Sequence, residues 1–113
     1  MKKVLAFDID QTLNIAKTPI PEEIAILLTE CLNYFEICPI SGQKFDQFLI
    51  QIVDRLIDVA EATPAQLKHL HLFVAQGTQY YRYMPMANGN DGKKYDPKNW
   101  ELVYNYPLKK RPD

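Results

Sequence analysis

Two kinds of hydrophobic pattern alternate along this chain. Residues 3–7 make a short, continuous apolar run, the mark of a strand buried on both faces of a parallel sheet. The run stops abruptly at Asp8-Ile9-Asp10-Gln11-Thr12. Residues 14–21 contain Pro19 and Pro21 without periodicity and predict a loop. Pro21 suits the first turn of a helix, with Glu22 and Glu23 near its positive end. Ile24, Leu27, Leu28, Cys31, Leu32 and Phe35 then recur at helical spacing.

Residues 35–40 are apolar and short, bounded by Pro39 and Ser41-Gly42, and predict a second strand. A long helix follows, with Phe45, Phe48, Leu49, Ile52, Val53, Leu56 and Ile57 on one wide stripe and Asp46, Gln47, Asp54, Arg55 and Asp58 largely off it. Thr63-Pro64 reads as the cap and first position of a short helix ending near His69. Residues 70–75 predict a third strand, and Gln76-Gly77 turns the chain. The order strand, helix, strand, helix, strand argues for right-handed crossovers and a Rossmann-like, three-layer α/β arrangement on a parallel sheet.

The remainder has another character. Residues 78–84 alternate and are rich in tyrosine, Asn88-Gly89-Asn90-Asp91-Gly92 is a turn signal, and residues 100–106 again resemble a strand. This predicts a C-terminal β-hairpin extension with a basic tail at Lys109-Lys110-Arg111. The organisation expected is a core over residues 1–83 and an extension over residues 84–113.

Composition narrows the function more than the fold. The chain has 113 residues, 47% hydrophobic and 24% charged, as expected of one globular domain with a modest core. A net charge of −1 gives no reason to expect a nucleic acid or an anionic membrane as partner. Cys31 and Cys38 sit in apolar stretches without metal-ligand spacing and predict two reduced thiols. The apolar run after Met1-Lys2-Lys3 ends at Asp8, too soon for a secretory core, so a cytoplasmic location is expected.

The candidate chemistry begins at Asp8. Ligands of open α/β sheets bind beyond the carboxyl ends of the strands, where Asp8 falls. A carboxylate there can attack a phosphoryl group and form an aspartyl-phosphate. An anion attacking an anionic ester needs charge neutralisation, which Mg²⁺ held by oxygen ligands supplies. Asp10 can protonate the leaving oxygen and later deprotonate water. Thr12 can fix the turn. At the second strand end Ser41 offers a hydroxyl and Gly42 a close backbone approach for a phosphate, beside the positive end of the next helix. Ser41 can equally be that helix's N-cap. His69 and His71 are expected to be surface or satisfied residues, and Tyr80, Tyr81 and Tyr83 hairpin packing.

Asp8-Ile9-Asp10-Gln11-Thr12 after an apolar strand resembles the first motif, DxDx[TV], of the haloacid dehalogenase-like (HAD) phosphatases. Ile40-Ser41-Gly42 is similar to their second motif. The run LFVAQGTQYY from Leu72 looks like the strand and "NG" turn of the subgroup containing Cof-type sugar phosphatases, sucrose-phosphate phosphatase and phosphomannomutase. The resemblance implies a partial HAD-like core with Asp8 as nucleophile and magnesium ligand. It makes Asp10 the general acid/base, which also gives the metal its backbone carbonyl, and Ser41 and Gly42 the phosphoryl cradle. It departs at Gln11, where glycine is commonest, at Gln43, where the subgroup often has arginine, and at Gln76, which replaces asparagine.

The family's third motif, a lysine, and its fourth, an acidic metal site, lie beyond a cap domain, and this chain ends before either is expected. Residues 4–7 would then be an apolar edge strand in need of cover. Three readings follow for function. The first is a Mg²⁺-dependent phosphohydrolase of a small phosphorylated metabolite, present whole or as a fragment. The second is an inactive binding or dimerisation module, with a homodimer through the first-strand edge as its expected partner. The third, a receiver-type signalling domain, is disfavoured because its acceptor aspartate belongs on the third strand.

Overall fold

The computed structural model describes residues 3–8, 20–75, 77–87 and 92–105. Strands β1 (Lys3–Asp8), β2 (Phe35–Ile40), β3 (His71–Val74), β4 (Gln79–Tyr83) and β5 (Trp100–Asn105) form one sheet in the order β1-β2-β3-β4-β5. β1, β2 and β3 are parallel, whereas β4 and β5 are antiparallel to their neighbours. The expected α/β fold is therefore present, and the C-terminal pair joins the parallel strands directly to make one mixed sheet.

The connections explain the layering. Helix α1 (Glu22–Cys31) links β1 to β2. A helical run links β2 to β3, made of α2 (Phe45–Phe48), a π-helical segment (Leu49–Val53) and α3 (Asp54–Asp58). Short helix α4 (Pro64–Leu67) follows, closed by a capping box in which Thr63 and Gln66 satisfy each other's backbone N–H groups. Parallel crossovers are almost always right-handed, so two successive steps in one direction put both helices on one face. Leu28 of α1 and Leu32 at its C-cap accordingly meet Ile52 and Leu56 over Phe7, Ile37 and Pro39, around an apolar cavity of about 10 Å³. Among the described residues the helices make one layer on the sheet. The third layer expected from sequence would have to lie on the opposite face, where alternate strand residues Glu36, Cys38, His71, Phe73 and Tyr80 are only half-buried.

Patterning located the elements to within a few residues. Phe48, Ile52, Val53 and Leu56 are buried as their stripe demands. The α1 stripe is rotated from expectation: Ala25, Thr29 and Leu32 are buried, while Leu27 is 58% exposed. Phe35 stands outside the helix as the first residue of β2. β1 also differs from a doubly buried strand, because it pairs only with β2 among the described residues; Val4 is 63% and Leu5 42% exposed. The expected turn at residues 88–92 lies almost wholly outside the described residues. Its flanking strands do pair, with a register shift between Tyr80 and Tyr81 and the 3₁₀ turn Pro97–Asn99 leading into β5.

Candidate phosphate site at the strand ends

Asp8 closes β1 in register with Ile40, the last residue of β2, so Ser41 follows one position beyond the residue facing Asp8. The two strand ends named from sequence are thus neighbours. Ser41 is 2% exposed, and its N–H donates to the Phe73 carbonyl at 2.9 Å, carrying the β2–β3 pairing past the end of β2. Its Oγ accepts from the Gln43 N–H at 3.0 Å. The hydroxyl therefore braces the turn across two residues, and it is not the helix N-cap, a place taken by Lys44 without a side-chain hydrogen bond. An accepting hydroxyl keeps its own proton to donate, so the brace leaves Ser41 able to bond a phosphoryl oxygen. Gly42, Gln43, Lys44 and Gln47 line an open concavity beside this turn. Asp10 and Thr12 lie outside the described residues.

A second turn is tied to the first. The Ala75 N–H donates to the Gln43 carbonyl at 2.7 Å, which joins the loop after β3 to the loop after β2. Ala75 adopts φ 51 and Gly77 φ 81, both left-handed. This conformation costs a residue with a Cβ about 1–2 kcal/mol, which Ala75 bears and Gly77 escapes. Thr78 Oγ1 donates to the Ala75 carbonyl at 2.7 Å and completes the turn. Gln43 was marked from sequence only as a departure from the family pattern, and Ala75 only as the end of the third strand. Only their backbones act here, and backbone bonds between loops leave no residue-type signal.

A separate polar cluster sits at the other ends of the strands. Glu36 lies 2.6 Å from His69 Nδ1 and 3.8 Å from His71 Nε2, and His71 Nδ1 is 2.6 Å from the Tyr80 hydroxyl. Both histidines are thus satisfied, as expected. Burial draws the His71 pKa down against the pull of Glu36, and burial raises the Tyr80 and Cys38 pKa values. Tyr80 stacks on Phe73, Tyr81 on Phe45 and Tyr83 on Tyr95, so the tyrosines are packing residues. Cys31 and Cys38 are free and half-buried.

Among the described residues no group of three His, Cys, Asp or Glu could hold a metal ion. Asp8 supplies one hard oxygen donor of the kind Mg²⁺ takes, and the second expected carboxylate, Asp10, falls outside the described residues. No described helix is long and apolar enough to cross a membrane.

No protein-family profile matches the chain, and no curated protein matches it in sequence. Its fold is similar to solved structures of the IMP-nucleotidase of Plasmodium falciparum. One has a TM-score of 0.60 at 14% identity, covering 94% of this chain and 26% of the other. The ATP-bound form has a TM-score of 0.60 at 13% identity, covering 90% of this chain and 23% of the other. An N-terminally truncated, IMP-bound form has a TM-score of 0.58 at 12% identity over 94% of this chain. The likeness is one of fold, the HAD-like fold, and does not single out the Cof-type subgroup. This chain spans about a quarter of the length of those structures.

Proposed function

We propose that this chain carries the nucleophile half of a magnesium-dependent phosphohydrolase acting on a small phosphorylated metabolite. The observation that carries the reading is the register of Asp8 beside Ser41 at the carboxyl ends of two parallel strands. Asp8 attacks phosphorus, and the P–O bond to the leaving alcohol breaks as Asp10 gives that oxygen its proton. Water, deprotonated by Asp10, then attacks the aspartyl-phosphate and releases phosphate with Asp8 regenerated. Ser41 donates its hydroxyl proton to a phosphoryl oxygen, with Gly42 and Thr12 shaping the cradle. Asp8 and Asp10 would hold Mg²⁺, which supplies charge neutralisation when bound. The solved neighbours are IMP-nucleotidases, so a nucleoside monophosphate belongs with sugar phosphates among the candidate substrates.

The test is Mg²⁺-dependent phosphate release from a panel of sugar phosphates and IMP, with Asp8→Asn as control. Turnover abolished by the substitution is expected. Equal turnover in both proteins, or none in either, sinks the reading for this chain.

A second reading is favoured by one specific observation, the exposure of Val4 and Leu5 on β1. Here the chain is a module that pairs with a copy of itself along that edge. Pairing two-fold about Leu5 would set Val4 beside the copy's Ala6, apolar against small and apolar. Sedimentation equilibrium should give a dimer that Leu5→Lys dissociates. A monomer whose β1 amides exchange freely would rule the module out.

A further inference from the structure

The Ser41 turn is anchored on β3 in a way that regular pairing does not explain. Ser41 N–H donates to the Phe73 carbonyl at 2.9 Å. A parallel ladder continuing from that bond would bring the next β3 donor, Ala75 N–H, back to the Ser41 carbonyl. Ala75 N–H goes instead to the Gln43 carbonyl, two residues further on, at 2.7 Å. Residues 41–43 therefore form an arch between two anchors on β3. Inside the arch Gln43 N–H donates to Ser41 Oγ at 3.0 Å. Gln43 is thus held on both of its backbone polar groups, and one of those bonds ends on the hydroxyl of the phosphate site.

The second anchor is itself strained. Ala75 sits at φ 51, a conformation that disfavours any residue with a Cβ. Such a backbone persists only where the surrounding bonds over-determine it. Gly77 N–H donates to the Val74 carbonyl at 3.1 Å, and Thr78 gives the Ala75 carbonyl both its N–H at 3.2 Å and its Oγ1–H at 2.7 Å. Of these three bonds, the short one from the hydroxyl is the one that depends on residue type. We propose that Thr78 is a positioning residue: through the Ala75 turn and the Gln43 backbone it fixes the direction in which Ser41 Oγ–H meets a phosphoryl oxygen. An oxygen that already accepts one bond from a set direction has a narrowed arc left for its own proton. A donor aimed at oxygen where charge develops in the transition state acts on kcat, and a misplacement of about 1 Å can cost a hundredfold. The inference rests on the phosphohydrolase reading.

Thr78→Val keeps the shape of the side chain and removes the hydroxyl, and Thr78→Ser restores it. Thr78 is only half-buried, so the valine opens no cavity in the core. Thr63→Ala, which breaks the capping box of α4, is the comparison for plain destabilisation. Amide exchange at Gln43 and Ala75 is followed by NMR alongside kcat and KM for the best phosphate ester. In Thr78→Val, exchange at both amides should quicken at least about tenfold and kcat should fall by a comparable factor, with KM within about twofold. Thr78→Ser should recover most of both, and Thr63→Ala should show neither. Unchanged exchange at Gln43, faster exchange with kcat unchanged, a serine no better than the valine, or an equal loss of kcat in Thr63→Ala overturns the positioning role and leaves the phosphohydrolase reading standing. A native chain that hydrolyses nothing removes that reading and the positioning role together.

Discussion

The two faces of the sheet have different chemistry although the same strands make both. On the helix-covered face, Ile37, Leu72, Val74, Tyr83 and Trp100 are buried, and the void left among the neighbouring side chains is apolar. On the other face, His71 shares a hydrogen bond with Tyr80 and lies 3.8 Å from Glu36, and Phe73 and Tyr80 stack while remaining half-buried. The difference follows from strand order. When each new strand is added on the same side of the last, right-handed crossovers can roof only one face. The face that the described helices leave open has to be tolerable to water, and alternation in β2 and β3 provides this by interleaving Glu36 and His71 with apolar residues.

The most severe way to break the comparison is to remove apolar volume from each face in turn. Leu72→Ala should cost about 3 kcal/mol, because a fully buried leucine leaves a cavity its neighbours cannot fill. Phe73→Ala, one residue along on the other face, should cost about 1 kcal/mol despite losing more atoms. Urea denaturation of both variants decides the matter, and equal losses would mean that the second face is also covered.

Polar partners should rank the same way. The Trp100 indole N–H donates to the Tyr95 hydroxyl at 3.1 Å on the covered face. Tyr95→Phe strands that donor and should cost about 1–2 kcal/mol. Tyr80→Phe removes the partner of His71 where water can take its place, and should cost less than about 1 kcal/mol. Thermal melts of the two single variants give the order.

The pH dependence should separate the faces as well, each reporting at its own end of the scale. Burial lowers the His71 pKa from 6.5, so between the folded and unfolded values the unfolded chain binds more protons. Stability from this group is complete above 6.5 and is lost as pH falls below it. On the covered face burial pushes Tyr95 up to about 12 from 10.0, so the unfolded chain loses its proton first. Stability should therefore fall as pH rises from 10.0 towards about 12. His71→Gln should flatten only the acid limb and Tyr95→Phe only the alkaline limb of a stability–pH curve. A variant that flattens the other limb would show that the assigned group is not its source.

Much of the fold was legible because periodicity reports burial directly. The stripe through Phe48, Ile52, Val53 and Leu56 could lie on no other face, and Thr63-Pro64 announced a cap that the capping box with Gln66 bears out. Leu27 misled because a leucine at helical spacing fits either edge of a stripe, and the angle at which α1 packs decides which edge is buried. The candidate site was legible in one respect, that Asp8 and Ser41 each end a strand. Their adjacency depended on β1 and β2 being direct neighbours in register.

The sequence by itself determined which segments are strands and helices, where two of them stop, and which carboxylate and hydroxyl stand at those stops, because each is set by neighbours a few positions away. Only the tertiary structure decided that one face of the sheet is roofed, that the loops after β2 and β3 are joined through Gln43 and Ala75, and that Arg55 holds Ile20 from 35 residues further along the chain. Those contacts are made by backbone groups or bridge distant segments, and neither kind leaves a periodic trace in the order of the residues.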